Sequence, residues 1–335
     1  MNFLYFLTIC ILLITCINYV QHKFNFLLDL NLKHKIKNVK KIPLSGGIYI
    51  LLCLMICKYA FDTNISLNLL LILFLFLVLG FFSDTKPNFV PVLRLFLQLF
   101  VIFLLIYLTG LEINKSNIFF IDNYLSYNYF NLIFTSLCII VLLNGANFID
   151  GVNTNLTGYY IIVIFFISKF NYNFDLIYLL IILIAFYFYN FFGKCFLGDN
   201  GVYVISILIS FIIIGIINNN DINPFFAVNL LWYPAFENLF SIIRRYVSND
   251  KVDRADKKHL HSILYLILKT KFTKYSNSFC GLLLNSYNLI STYLSFKYIF
   301  NSQILMTILI INIIFYLLTY FKLLNILSKR LVSKK

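Results

Sequence analysis

Long apolar runs alternate with short polar interruptions along the whole chain. A transmembrane helix needs about 20 predominantly apolar residues, and by that measure the runs predict about eleven spans, or about ten on a stricter count. The expected fold is an all-α, polytopic integral membrane protein forming a single membrane-embedded domain over 1–335. The predicted spans lie near 2–20, 44–60, 67–83, 91–110, 129–144, 158–168, 175–192, 201–217, 223–243, 278–298 and 304–324.

Composition supports a membrane protein and excludes a soluble globule. Of the 335 residues, 61% are hydrophobic and only 12% are charged, a balance typical of chains that spend most of their length in lipid. The formal net charge is +14. The basic residues cluster in loops beside spans, where positive charge sets membrane orientation. We therefore do not expect nucleic-acid binding.

The positions of Lys and Arg predict the orientation of the chain. Only Lys58, Lys115, Lys169 and Lys297 fall in loops on the side opposite to the remaining basic residues. Because basic loops stay in the cytoplasm, the N-terminus is expected outside and the C-terminus inside. The predicted cytoplasmic loops are 21–43, 83–91, 144–158, 193–201 and 244–277.

Five polar interruptions carry unusual chemistry, and all five fall on the predicted cytoplasmic side. Because the orientation was set by Lys and Arg alone, their shared side is independent support for one joint site. The interruptions are IPLSGGIYI (42–50), GFFSDTKPN (80–88), NGANFIDGVNTNLTG (144–158), KCFLGDNG (194–201), and ENLFSIIRR with RADKKHLHSILY (237–245 and 254–265).

Three carboxylates in these interruptions predict a divalent metal site. Asp84, Asp150 and Asp199 each lie at the end of an apolar run, where an ionised group is costly unless it is paired, hydrated or bound to a cation. Oxygen ligands suit Mg²⁺ or Mn²⁺, and Mg²⁺ is usually held by one or two carboxylates together with substrate phosphates. Asn147 and Asn153 stand three residues from Asp150 and would share its face at a helix end.

The last interruption supplies the opposite charge and predicts a phosphate ligand. Arg244 and Arg245 can bind phosphate oxygens in pairs of hydrogen bonds. His259 and His261 can donate to a diphosphate or exchange protons near neutral pH. Each feature alone has an ordinary explanation, such as a turn, a surface pair or an orientation signal. Their occurrence together favours a site for phosphate chemistry.

The order of NGANFIDGVN, FLGDNG, and RR followed by HLH resembles the polyprenyl-phosphate N-acetylhexosamine-1-phosphate transferase family, glycosyltransferase family 4. IPLSGG matches the early loop of that family, so the resemblance runs from about residue 40 to 265. The sequence is most similar to the amino-sugar branch, typified by undecaprenyl-phosphate GlcNAc-1-phosphate transferases. The peptidoglycan branch, that of phospho-MurNAc-pentapeptide translocase, has a triple-histidine run where this chain has HLHS.

The resemblance implies a reaction and its partners. Enzymes of this family move a sugar 1-phosphate from a UDP-N-acetylamino sugar onto undecaprenyl phosphate, giving a sugar-diphospho-lipid and UMP, with Mg²⁺ as cofactor. They start the synthesis of cell-envelope glycans such as O-antigen or teichoic acid, so the resemblance implies a location in the bacterial cytoplasmic membrane. The expected partners are therefore the UDP-sugar, undecaprenyl phosphate and membrane lipid, and a homodimer is compatible with this assignment.

The resemblance also implies roles for single residues. Asp199 matches the magnesium ligand, and Asp150 matches an aspartate that deprotonates the lipid phosphate or binds metal or nucleotide. Asp84, His259 and His261 are predicted with Asp150 as catalytic residues. The predicted substrate-binding residues are Asn144, Asn147, Asn153, Arg244 and Arg245, and the predicted metal ligands are Asp199 and Asp150.

Three positions depart from the family pattern. Ser83 precedes Asp84 where many members have a second aspartate, Asn153 replaces the second aspartate of the long motif, and Ser262 follows His261 in place of histidine. These changes argue against a mechanism that needs paired carboxylates at 83 or 153. The alternatives are a transporter or flippase that uses intramembrane carboxylates, which predicts acids near mid-span, and an inactive scaffold of the same fold.

Overall fold

The computed structural model describes residues 2–29, 41–86, 89–170, 176–220, 222–248, 258–270, 272 and 275–332. Within them the chain is helical, apart from a pair of two-residue antiparallel strands, β1 (Leu28–Asp29) and β2 (Ile42–Pro43). The helices are α1 (Asn2–Lys23), α2 (Gly46–Ala60), α3 (Leu67–Thr85), α4 (Pro91–Thr109), α5 (Phe119–Leu125), α6 (Asn128–Ile149), α7 (Asn155–Ile167), α8 (Leu176–Phe191), α9 (Gly198–Asn219), α10 (Pro224–Leu230), α11 (Trp232–Val247), α12 (Leu260–Leu268), α13 (Ser276–Lys297) and α14 (Ser302–Val332).

The helices agree with the predicted all-α class. In the described part of the chain six helices, α1, α3, α4, α6, α9 and α14, are long and apolar enough to cross a membrane, and α2, α7 and α8 are shorter apolar helices. All but one of the predicted spans coincide with a single helix. The number of spans and their orientation are not decided by these helices and stay predictions.

The predicted span at 223–243 is divided into α10 and α11. Pro234 stands in the first turn of α11, four residues after Leu230, the last residue of α10. A proline lacks the N–H that would bond to the carbonyl four residues earlier, and its ring collides with that carbonyl. The division follows from this one residue.

Helix α9 forms the centre of the molecule. It is buried along most of its length and packs against α2, α3 and α6. Gly80 of α3 allows one of these contacts, because a Cβ there would collide with the backbone of Asn200. Large apolar side chains such as Tyr107 and Leu137 are exposed on the outer helices, as expected of a surface that faces lipid.

Several helices extend into the predicted loops. Helix α3 continues through Ser83 and Asp84, α6 continues to Ile149, and α9 begins before Asp199. Asn144 lies within the extended α6, and its side-chain amide donates to the Ile140 carbonyl of the preceding turn at 3.0 Å. Asp84 and Asp199 therefore lie on helix ends, and Asp150 directly follows one, which fixes their positions more rigidly than long loops would.

Candidate active site

Asp84 lies where the end of α3 meets the start of α9. Its carboxylate accepts the backbone N–H groups of Asp199, at 2.9 Å, and Asn200, at 3.1 Å, and the Asn200 side-chain amide at 2.6 Å. The first N–H groups of a helix have no partner within it, so Asp84 caps α9 from another helix. The positive end of the α9 dipole also favours negative charge at this point.

Asp199 stands in the first turn of α9 and has two further partners. The Ser83 hydroxyl donates to its Oδ2, and Arg94 Nη1 of α4 lies 3.8 Å from the same oxygen. Arg94 also approaches the Ser83 hydroxyl at 3.5 Å. The serine at the position of the missing aspartate thus serves Asp199 as a hydrogen-bond donor. A second carboxylate there would repel it.

Asn200 joins the early IPLSGG loop to the same helix start. Its Oδ1 accepts the Gly47 backbone N–H at 2.7 Å, and its Nδ2 lies 3.3 Å from the Leu44 carbonyl. The backbone of Phe196 donates to Pro43 at 2.8 Å, which extends the contact between the two loops. Two predicted motifs, more than 140 residues apart in sequence, are therefore held together at this helix end.

Asp150 follows the last residue of α6 and is half-buried. The pKa of its carboxyl group is raised well above the ordinary value, first by loss of contact with water and then by the negative charges of Asp199 and Asp84. Because α3 and α6 both pack against α9, and Asp84, Asp150 and Asp199 lie at or just beyond the ends of these helices, the three predicted carboxylates lie at the same end of the bundle. Asn147 lies one turn earlier on α6 and is also half-buried.

The loop after Asp150 is held by amide side chains from other helices. Asn277 accepts the Asn153 backbone N–H at 2.8 Å, and Asn190 accepts that of Thr154 at 2.6 Å. Asn285 donates to the Thr154 carbonyl at 2.9 Å. Thr154 adopts a positive φ of 66°, a conformation that a residue with a Cβ keeps only when its surroundings enforce it. Side chains of α8 and α13 thus hold the loop that directly follows Asp150.

The two histidines lie beside this loop. His259 immediately precedes α12, and its ring stacks on that of His261 with the centroids 5.5 Å apart. A Cβ at Gly151 would collide with the His261 ring, so the imidazole lies directly against the residue after Asp150. Both histidines are buried. His259 Nδ1 is 2.9 Å from Oε1 of Glu237, a carboxylate that the sequence analysis did not select.

The two predicted arginines differ in position. Arg244 Nη1 donates to the Lys258 carbonyl at 2.5 Å and to the Tyr320 hydroxyl at 3.0 Å, and its guanidinium lies over the Tyr320 ring. Arg244 therefore anchors the backbone just before His259. Arg245 is buried on the same helix.

The donor set at the helix ends fits a magnesium ion. Among the described residues no group of three or more His, Cys, Asp or Glu side chains could hold a metal ion by itself. Asp84 is engaged by the start of α9, which leaves Asp150 and Asp199 as the carboxylates available for a cation. Because Mg²⁺ is usually bound by one or two carboxylates and completed by substrate phosphates and water, two are sufficient.

Residues 66–217 match the model of glycosyl transferase family 4. The resemblance predicted from the motifs is confirmed by this match. The matched segment carries all three converging carboxylates, while His259 and His261 lie beyond it. This match supports a transferase of the polyprenyl-phosphate sugar-1-phosphate kind, acting with a nucleotide-sugar at a membrane. No curated protein is significantly similar to the chain.

Sequence reasoning missed three residues that contact the predicted site residues. Arg94 enters the sequence analysis only as one of the basic residues that predict orientation. A basic residue inside an apolar helix is unusual, however, and suggests a charged or polar partner. Asn200 is adjacent to a predicted ligand, but its contacts come from Leu44 and Gly47, far away in sequence. Glu237 is the first residue of the ENLFSIIRR interruption, but nothing in the sequence indicates His259 as its partner.

Proposed function

We propose that the protein transfers an N-acetylamino-sugar 1-phosphate from a UDP-sugar to undecaprenyl phosphate, releasing UMP and initiating cell-envelope glycan synthesis. The reaction would take place at the cytoplasmic face of a bacterial membrane, where a soluble nucleotide-sugar and a lipid phosphate can meet. The observation that carries the proposal is the convergence of Asp84, Asp150 and Asp199, with Arg94 beside them, at one end of the bundle.

In the proposed reaction an oxygen of the lipid phosphate attacks the β-phosphorus of the UDP-sugar. A new P–O bond forms, the bond from the β-phosphorus to the bridging oxygen breaks, and UMP leaves with that oxygen and the bond's electron pair. A phosphate monoester has a second pKa of about 6 and is already a nucleophile near neutral pH. A strong base is therefore not needed, and Asp150 has the task of positioning the lipid phosphate or accepting its proton.

The protein's main task is to bring two polyanions together. Such catalysis depends on positioning and on neutralising charge. We assign Asp150 and Asp199 as the residues that hold Mg²⁺, which when bound would offset the negative charge of the phosphates. Arg94 adds a fixed positive charge beside Asp199. His259 and His261 are assigned to the diphosphate because they lie against the loop that follows Asp150.

The location of the carboxylates favours this proposal over an ion-coupled transporter. Asp84 is in the last turn of α3, Asp150 follows α6, and Asp199 is in the first turn of α9. A transporter that couples ions through carboxylates would be expected to place them near the middle of discontinuous helices. The transporter stays the second candidate because Glu237 is a buried acid within an apolar segment.

The proposal can be tested by UMP release. Purified protein would be incubated with undecaprenyl phosphate, Mg²⁺ and a panel of UDP-N-acetylamino sugars. We expect UMP release with at least one sugar, loss of release in EDTA, and recovery when Mg²⁺ or Mn²⁺ is restored. Asp199→Asn should reduce release about a hundredfold or more. A folded preparation that releases no UMP with any sugar would refute the function, and undiminished release in EDTA would refute the metal requirement.

A further inference from the structure

Glu237 is a fully buried carboxylate on α11, and both of its oxygens are engaged. Oε1 lies 2.9 Å from His259 Nδ1, and Oε2 accepts the Tyr316 hydroxyl of α14 at 2.6 Å. A buried carboxylate is costly unless its partners compensate for the lost water. An apolar side chain would fill the same space without that cost. The retained charge therefore suggests a task directed at His259.

The surroundings of His259 fix the orientation of its ring. The Phe148 ring lies 5.2 Å from the imidazole, and His261 stacks almost parallel to it, with an interplanar angle of 7°. Phe148 is two residues before Asp150, and His261 contacts Gly151 just after it. The ring that Glu237 holds is consequently enclosed between the residues that flank a predicted catalytic carboxylate.

We propose that Glu237 is a positioning residue that keeps a proton on His259 Nδ1 and directs Nε2 toward the diphosphate of the nucleotide-sugar. This inference rests on the proposed phosphotransfer and assigns Glu237 a part in it. An ionised carboxylate can only accept hydrogen bonds, so the nitrogen facing it must carry a proton. Nε2, on the opposite side of the imidazole, is then the nitrogen that would face the diphosphate. Tyr316 holds the other carboxylate oxygen and prevents the pair from rotating.

A double-mutant cycle separates this role from a purely structural one. Glu237→Gln is expected to lower kcat for UMP release about 10–100-fold, the usual effect of removing the partner of a functional histidine, with a smaller change in KM. If Glu237 acts through His259, adding Glu237→Gln to His259→Gln should cause no further loss. Glu112→Gln, at an exposed glutamate in the loop after α4, is the matched control and should behave as the wild type. Independent losses that multiply, or normal turnover in Glu237→Gln, would overturn the proposal.

A second measurement requires neither turnover nor a folded Glu237 variant. The chain has four histidines, so ¹⁵N-histidine NMR gives few signals, and that of His259 is identified by its loss in His259→Gln. In the unmodified protein at high pH, neutral His259 should carry its proton on Nδ1. The Nε2-protonated form would overturn the proposal. If the Nδ1 form is observed but no sugar yields UMP, the positioning contact stands and the proposed function fails.

Discussion

At the scale of single residues, the candidate site differs in its charge distribution from the family 4 pattern that it resembles. Asp199 is approached by the Ser83 hydroxyl and the Arg94 guanidinium, both from neighbouring helices. Asp150 is the only carboxylate in the segment 144–158. Asn153, at the position of the second aspartate, donates its backbone N–H to Asn277. Without acids at positions 83 and 153, the remaining carboxylates repel one another less. The departures noted in the sequence are thus compatible with a working site.

The Ser83 hydroxyl is expected to tune the metal affinity of Asp199. Partners that hydrogen-bond to a metal-binding carboxylate typically contribute about 10–100-fold to affinity. Ser83→Ala should therefore raise the Mg²⁺ concentration that gives half-maximal UMP release about tenfold, with turnover largely recovered at saturating Mg²⁺. Thr85→Ala is the control, since Thr85 lies in the same turn and its hydroxyl donates to Phe81 of its own helix. An unchanged Mg²⁺ dependence in Ser83→Ala would exclude this role.

Arg94 is expected to contribute to turnover through its charge. Arg94→Gln should lower kcat/KM about tenfold or more, because a fixed positive charge near the transferring phosphoryl group is lost. Lys86→Gln removes a basic residue close by, whose ammonium lies over the Phe82 ring, and should have little effect. Equal losses of kcat/KM in the two variants would indicate a general effect of net charge and contradict a specific role of Arg94.

At the scale of elements, the site depends on the contact between the end of α3 and the start of α9. Gly80 lets the two backbones approach, and Asp84 then receives the first N–H groups of α9. Apolar periodicity predicts both helices but not this contact, because Asp84 and Asp199 are 115 residues apart in sequence. The sequence predicts a catalytic role for Asp84. The structure shows that its carboxylate caps the start of α9.

The capping contact predicts a loss of stability when Asp84 is changed. Removing a helix cap costs about 0.5–2 kcal/mol, so Asp84→Ala should lower the thermal unfolding midpoint in detergent by a few degrees. Asp84→Asn should also be destabilising, because an amide N–H would face the backbone N–H of Asn200 or Asp199. Asp122→Ala, in α5, measures the effect of losing a carboxylate that accepts a backbone N–H elsewhere, that of Ser116. If Asp84→Ala abolishes UMP release with an unchanged midpoint, its role is catalytic alone.

At the scale of the whole molecule, all the site residues gather at one end of the bundle. The loop after α2, with Asn64, lies at the opposite end, because α2 begins and α3 ends beside Asn200. Ser248 follows α11 close to Arg244, which anchors the backbone before His259. The positive-inside prediction assigns the site end to the cytoplasm.

This orientation can be tested by labelling single cysteines. The exposed native residues Cys16 and Cys138 would first be replaced by serine, and Asn64→Cys or Ser248→Cys would be added. In right-side-out membrane vesicles a membrane-impermeant maleimide should label Asn64→Cys and spare Ser248→Cys. In inverted vesicles the pattern should be reversed. Labelling of Ser248→Cys from outside would mean that the predicted topology is inverted.

The sequence by itself determined the membrane class, the approximate position of the helices, and the three carboxylates with their two histidines. These properties are local, because span length, apolar periodicity and motif spacing are written in neighbouring residues. The tertiary structure decided which side chains meet. Asp84 caps α9, Arg94 and Ser83 contact Asp199, and Glu237 contacts His259. Such contacts depend on how distant helices pack, and a single polar residue in an apolar run does not reveal its partner.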